Sequence, residues 1–131
     1  MTGKAVIYTG GESFAEIIRN DACYVDKTAY LKNLFENNSV KNYLFTRPRR
    51  FGKTLNMSMI EEFCELDYQN PKDKSRQQKL FIDNGRNLLV AGDDCKNLRI
   101  SVMGEHPVIS ISFKGVEGDC FLKPYSSSYI K

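Results

Sequence analysis

The densest chemistry in this sequence is the run Arg47-Pro48-Arg49-Arg50-Phe51-Gly52-Lys53-Thr54. Arg47, Arg49, Arg50 and Lys53 place four cations within seven residues, with no acid among them. Gly52-Lys53-Thr54 is the end of the phosphate-binding pattern G-x-x-x-x-G-K-[ST]. In such a loop the glycine lets the backbone approach a phosphate closely, the lysine neutralises the β- and γ-phosphates, and the hydroxyl holds Mg²⁺. Here Gly52, Lys53 and Thr54 fill those three positions, while Arg47 stands where the first glycine belongs. Chance alone would give a Gly-Lys-[Ser/Thr] triplet ~0.09 times in a chain of this composition, so the triplet needs its context. That context is a strand before the loop and a helix after it. The bland alternative is a turn in which Gly52 merely begins a helix and Lys53 is solvated.

The flanking residues predict that context. Tyr43-Leu44-Phe45 is a short apolar run, read as a buried strand that Pro48 prevents from continuing. From Lys53 a helix is expected, with Leu55, Met59, Ile60, Phe63 and Leu66 as its core stripe and Met57 off it. Upstream, Ser13-x-x-Glu16 predicts a capping box opening a helix whose apolar side is Phe14, Ile17 and Ile18. Asp26 is expected to cap a second helix carrying Tyr30, Leu31, Leu34 and Phe35, with turn chemistry at Asn37-Asn38-Ser39. Downstream, a polar loop after Asp67 leads into a helix ending in Leu80-Phe81-Ile82, and residues 94–103 predict another, stopped by Gly104. Residues 108–113 alternate, Ile109, Ile111 and Phe113 against Val108, Ser110 and Ser112, and are read as a central strand. Strands alternating with helices predict an α/β fold: parallel sheet strands with flanking helices, as part of a P-loop nucleoside-triphosphatase architecture.

Bulk properties narrow the function. The chain has 131 residues, 41% of them hydrophobic and 27% charged, which suits one globular domain. No apolar run approaches the ~20 residues of a membrane helix, and the first residues lack a secretory signal, so a cytoplasmic setting is expected. A net charge of +3 is too weak to imply nucleic-acid binding by the whole chain. Cys23, Cys64, Cys95 and Cys120 form no C-x-x-C pair and are expected to be free thiols, at least partly in the core. His106, between Glu105 and Pro107, reads as a loop residue rather than a catalytic base.

Three segments together resemble the bacterial AAA-ATPase-like family: Tyr24-Val25-Asp26-Lys27-Thr28, the run from Leu44 through the phosphate loop to Met59, and Pro107-Val108-Ile109-Ser110-Ile111-Ser112-Phe113-Lys114. The resemblance spans about residues 11–119 and is most specific at the phosphate loop. It implies that an arginine-rich loop without the first glycine is normal, so Arg47 is no objection. It assigns nucleotide contact to Arg49, Arg50, Phe51, Gly52, Lys53, Thr54 and Leu55, and to Asp26 and Lys27. It also implies ATP and Mg²⁺ as cofactors, Thr54 as the metal ligand, and a C-terminal nuclease-like domain in typical members.

By that comparison residues 1–131 are the N-terminal portion of one P-loop domain, lacking the Walker B region and the nuclease-like domain. Residues 108–113 run into Lys114-Gly115 rather than into acid, and Asp93, Asp94 and Asp119 do not end a long apolar strand. Hydrolysis by this chain alone is therefore expected to be negligible. Uncovered edges are expected to favour self-association. Two other functions stand beside nucleotide binding. One is a nucleic-acid contact module built on Arg47, Arg49 and Arg50, with Phe51 stacking. The other is a truncated remnant, without function or regulating a full-length partner.

Overall fold

The computed structural model describes residues 13–36, 42–48 and 50–113. Five α-helices follow one another: α1 (Phe14–Arg19), α2 (Ala29–Glu36), α3 (Lys53–Cys64), α4 (Ser75–Phe81) and α5 (Lys96–Ser101). Two 3₁₀ turns, Leu89–Ala91 and Asp93–Cys95, lead into α5. The core forms where α1, α3 and α4 meet. Phe14, Phe63 and Phe81 are completely buried there. The Phe14 and Phe81 rings stack at 4.8 Å, and Phe63 meets Phe81 edge-on at 5.1 Å. Such ring pairs contribute ~0.5–1.5 kcal/mol each beyond the area they bury. Leu31 brings α2 into the same core, and Leu98, Val102 and Met103 bring in α5 and the turn after it.

The α/β expectation is overturned. Among the described residues there is no strand; bridge pairing is confined to single residues, such as the isolated parallel bridge between Glu65 and His106. Residues 42–48 and 107–113 carry no helix, but neither belongs to a sheet. Leu44 is 88% exposed, and Ile109 and Phe113 are each 79% exposed. A parallel strand needs a hydrogen-bonding neighbour and cover on both faces. Most of these side chains lack that cover: all of residues 42–48 and 109–113 are exposed. Apolar alternation shows that a segment suits a sheet, but not that the sheet exists. Val108 alone of the alternating run packs against the core.

The capping box at α1 is also corrected. Ser13 is the N-cap residue but makes no side-chain cap bond. Instead Ser58 Oγ on α3 accepts from the Phe14 N–H at 3.1 Å, so a tertiary contact satisfies that helix end. The other helices form where expected, although α3 ends at Cys64, short of Leu66, and Asp26 bonds Thr28 rather than an N–H of α2. Helix α3 starts at Lys53, with Met59 and Phe63 buried and Met57 exposed. Helix α4 ends at Phe81, and α5 precedes Gly104, whose φ is +68°. Cys64 and Cys95 are buried free thiols and Cys23 is exposed. Burial pushes the Cys64 thiol up to about 12. His106 lies beyond α5, its N–H donating to the Cys64 carbonyl at 3.0 Å. The readings at Asn37-Asn38-Ser39, Lys114-Gly115, Asp119 and Cys120 lie outside the described residues.

Candidate functional site

The phosphate-loop residues sit at the N-terminus of α3, the longest helix among those described. Two backbone positions bend the chain into it. Arg50 has φ +66° and Gly52, the N-cap, has φ +74°. Glycine takes that conformation without a Cβ penalty. No side chain caps α3. The Asn56 N–H closes the first turn onto the Gly52 carbonyl at 2.9 Å. The N–H groups of Lys53, Thr54 and Leu55 precede that bond and have no intrahelical acceptor. An uncapped helix start with free N–H groups favours an anion.

Cations converge on this turn. Lys53 Nζ reaches back to the Arg47 carbonyl at 2.6 Å, closing the loop across its own backbone. Lys27, which precedes α2, donates from Nζ to the Phe51 carbonyl at 3.3 Å. A Cβ at position 52 would lie 3.4 Å from that ammonium. Arg47 and Arg50 are exposed beside it. Among the described residues, none of these four cations pairs with a carboxylate. The held ammonium groups are satisfied by neutral carbonyls, so an incoming anion need not displace a carboxylate.

Asp26, grouped with Lys27 by sequence, has a different position. Its Oδ1 accepts from the Thr28 N–H at 2.8 Å and from the Thr28 hydroxyl at 2.7 Å, and its Oδ2 from the Leu89 N–H at 2.6 Å. Thr28 Oγ1 accepts in turn from the Val90 N–H at 3.0 Å. Asp26 thus ties the start of α2 to the 3₁₀ turn at Leu89–Ala91, while Lys27 alone reaches the loop. Leu55 packs partly against the core, and Thr54 and Phe51 are exposed. Arg49 lies outside the described residues.

A cleft of about 550 Å³ opens beside the loop. Its floor is one face of α3, where Lys53, Asn56, Met57 and Ile60 recur at helical spacing. Lys27 and Arg47 join Lys53 in its lining, as do Tyr30, Tyr43, Phe45 and Phe51. The Tyr43 hydroxyl donates to the Leu34 carbonyl at 2.9 Å, holding residues 42–48 against the end of α2. Sequence reasoning missed this cleft. Periodicity places Tyr30 on a helix's apolar side and Tyr43 and Phe45 in a buried strand, and it leaves the polar Asn56 off the α3 core stripe. Only the exposure of several aromatic side chains around one loop joins them, and exposure is not written in the periodicity.

The implied metal can be tested against the donor set. Among the described residues no group of three His, Cys, Asp or Glu could hold a metal ion. Thr54 can offer one hydroxyl, which suits Mg²⁺ bound chiefly through phosphate oxygens and water. The loop's donors therefore suit an anion, and a metal only in company with one. No described helix is long and apolar enough to cross a membrane.

Comparison with known proteins identifies the family but not the site. The model of a family described as predicted AAA-ATPase matches residues 8–122. No curated protein and no solved structure matches the chain. Because that match takes in most of the chain, including the loop, the helix behind it and the Lys27 segment, the chain belongs to the AAA-ATPase-like family, which implies nucleotide and metal use in general.

Proposed function

We propose that this chain binds ATP, with its phosphates on the turn formed by Arg50, Phe51, Gly52, Lys53 and Thr54. The observation that carries the reading is the convergence of Lys27 and Lys53 on one tight turn at an uncapped helix N-terminus, with no carboxylate neutralising either ammonium among the described residues. Lys53 swings from the Arg47 carbonyl to the β- and γ-phosphates, and Lys27 adds a second positive charge from the other side. Thr54 would hold Mg²⁺ through its hydroxyl, and the ion would arrive in company with the nucleotide. Its chemistry there is to neutralise phosphate charge. In this reading residues 1–131 act as the phosphate-gripping portion of a larger ATPase domain, and no hydrolytic step is assigned to them.

The nucleic-acid reading keeps one supporting observation: Arg47, Arg50 and Phe51 are all exposed on the same loop. A single set of titrations separates the two. ATP, with and without Mg²⁺, is titrated beside a DNA oligonucleotide across a salt series. ATP binding that Mg²⁺ strengthens, with DNA bound only weakly at physiological salt, supports the nucleotide site. Micromolar DNA binding with a steep salt slope that ATP does not compete away overturns it.

A further inference from the structure

The cleft beside the loop combines the cations Lys27, Arg47 and Lys53 with the aromatic and apolar side chains Tyr30, Tyr43, Phe45, Phe51 and Ile60. A nucleotide offers the same two chemistries, an anionic tail and a flat aromatic head. Asn56 sits one helical turn beyond Lys53 on the same face. Its backbone N–H is already bonded to the Gly52 carbonyl, which fixes the residue in the first turn. Its side-chain Oδ1 is fully buried and accepts no hydrogen bond from the described residues. A buried acceptor left without a donor is costly and calls for an explanation, and a ligand group that donates to it is one.

We propose that Asn56 selects the base of the bound nucleotide: its Oδ1 accepts from the exocyclic amino group of adenine. This rests on the phosphate-site reading above, because phosphates held at Lys53 direct the base along α3. Adenine offers an amino donor on C6, and a purine has the ring area to stack on the exposed Tyr30 and Tyr43 side chains. A base with a carbonyl on C6 brings acceptor against acceptor, and both remain unpaired. Sites built around such a bond reject the analogue that lacks it.

The test compares ATP with ITP, which carries a carbonyl in place of the C6 amino group, using tripolyphosphate as a base-free control. The wild-type chain is expected to prefer ATP by about 5- to 150-fold. Asn56→Leu should bring that ratio close to one and leave tripolyphosphate affinity unchanged. Asn56→Asp keeps an acceptor and has no amide to turn round, so it should keep the preference for ATP even as added negative charge weakens both ligands. Equal wild-type affinities for ATP and ITP, or a preference that survives Asn56→Leu, would overturn the assignment while leaving the phosphate site standing. Tripolyphosphate that fails to bind would overturn the phosphate site itself, and this inference with it.

Discussion

At the scale of single residues, Asp26, Lys27 and Thr28 divide their labour. Lys27 points to the turn at Phe51, whereas Asp26 and Thr28 hold the base of α2 to the 3₁₀ turn at Leu89–Ala91. Thr28 is completely buried, so its hydroxyl cannot be replaced by water without rearrangement. Thr28→Val should leave the Val90 N–H without its acceptor and cost ~1–3 kcal/mol, read as a lower thermal midpoint. Thr28→Ser, which retains the hydroxyl, should lose much less. Equal midpoints for Thr28→Val and the wild type would show that this bond does not hold the two segments together. The triplet Gly52-Lys53-Thr54 was legible in sequence because its spacing reports local chemistry. The role of Asp26 was legible only in part. Its place just ahead of α2 follows from local sequence, but it accepts from the Thr28 N–H rather than from an N–H of α2, and its bond to Leu89 joins residues 63 positions apart.

Among the elements, α3 organises the site and was the easiest to read. Its start is pinned by the loop and its stripe by Met59 and Phe63, so periodicity and motif agree. The segments on either side of it were misread for one shared reason. Residues 42–48 and 108–113 have strand-like composition, but strand formation is decided by neighbours that composition does not reveal. Likewise Ser13 and Glu16 have capping-box spacing, yet Ser58 accepts from the first helical N–H. The conformation of the turn leading into α3 makes a sharper prediction. Gly52→Ala puts an L-residue at φ +74°, at a cost of ~1–2 kcal/mol, with its Cβ in contact with Lys27 Nζ at 3.4 Å. We expect it to weaken ATP binding more than it lowers the thermal midpoint, because the strained turn can relax by moving the loop away from α3. Unchanged ATP affinity in this variant would show that the left-handed turn is not the binding conformation.

At the level of the whole molecule, burial and exposure are unevenly shared. The aromatic centre of α1, α3 and α4 is closed, while Leu44, Ile109, Ile111 and Phe113 are open to solvent. Exposed apolar groups of this size favour association. Apparent mass by light scattering is expected to rise with concentration, and the double substitution Ile109→Ser with Phe113→Ser should reduce that rise without lowering the thermal midpoint. A monodisperse monomer across the concentration range would show that these side chains do not drive association.

The same division of the molecule explains how the proposed phosphate grip would stand on a helical scaffold. Its parts come from the α3 N-terminus, one curled turn and a lysine ahead of α2. Among the described residues, all three are positioned by packing around α3 rather than by strand pairing. The most direct test is calorimetric titration of ATP with Mg²⁺ into the wild-type chain and into Lys53→Ala. The expected result is a roughly 10- to 150-fold loss of affinity, equivalent to a charge-assisted contact of ~1.5–3 kcal/mol. Equal affinity in the two proteins would contradict the assignment of the phosphates to this turn.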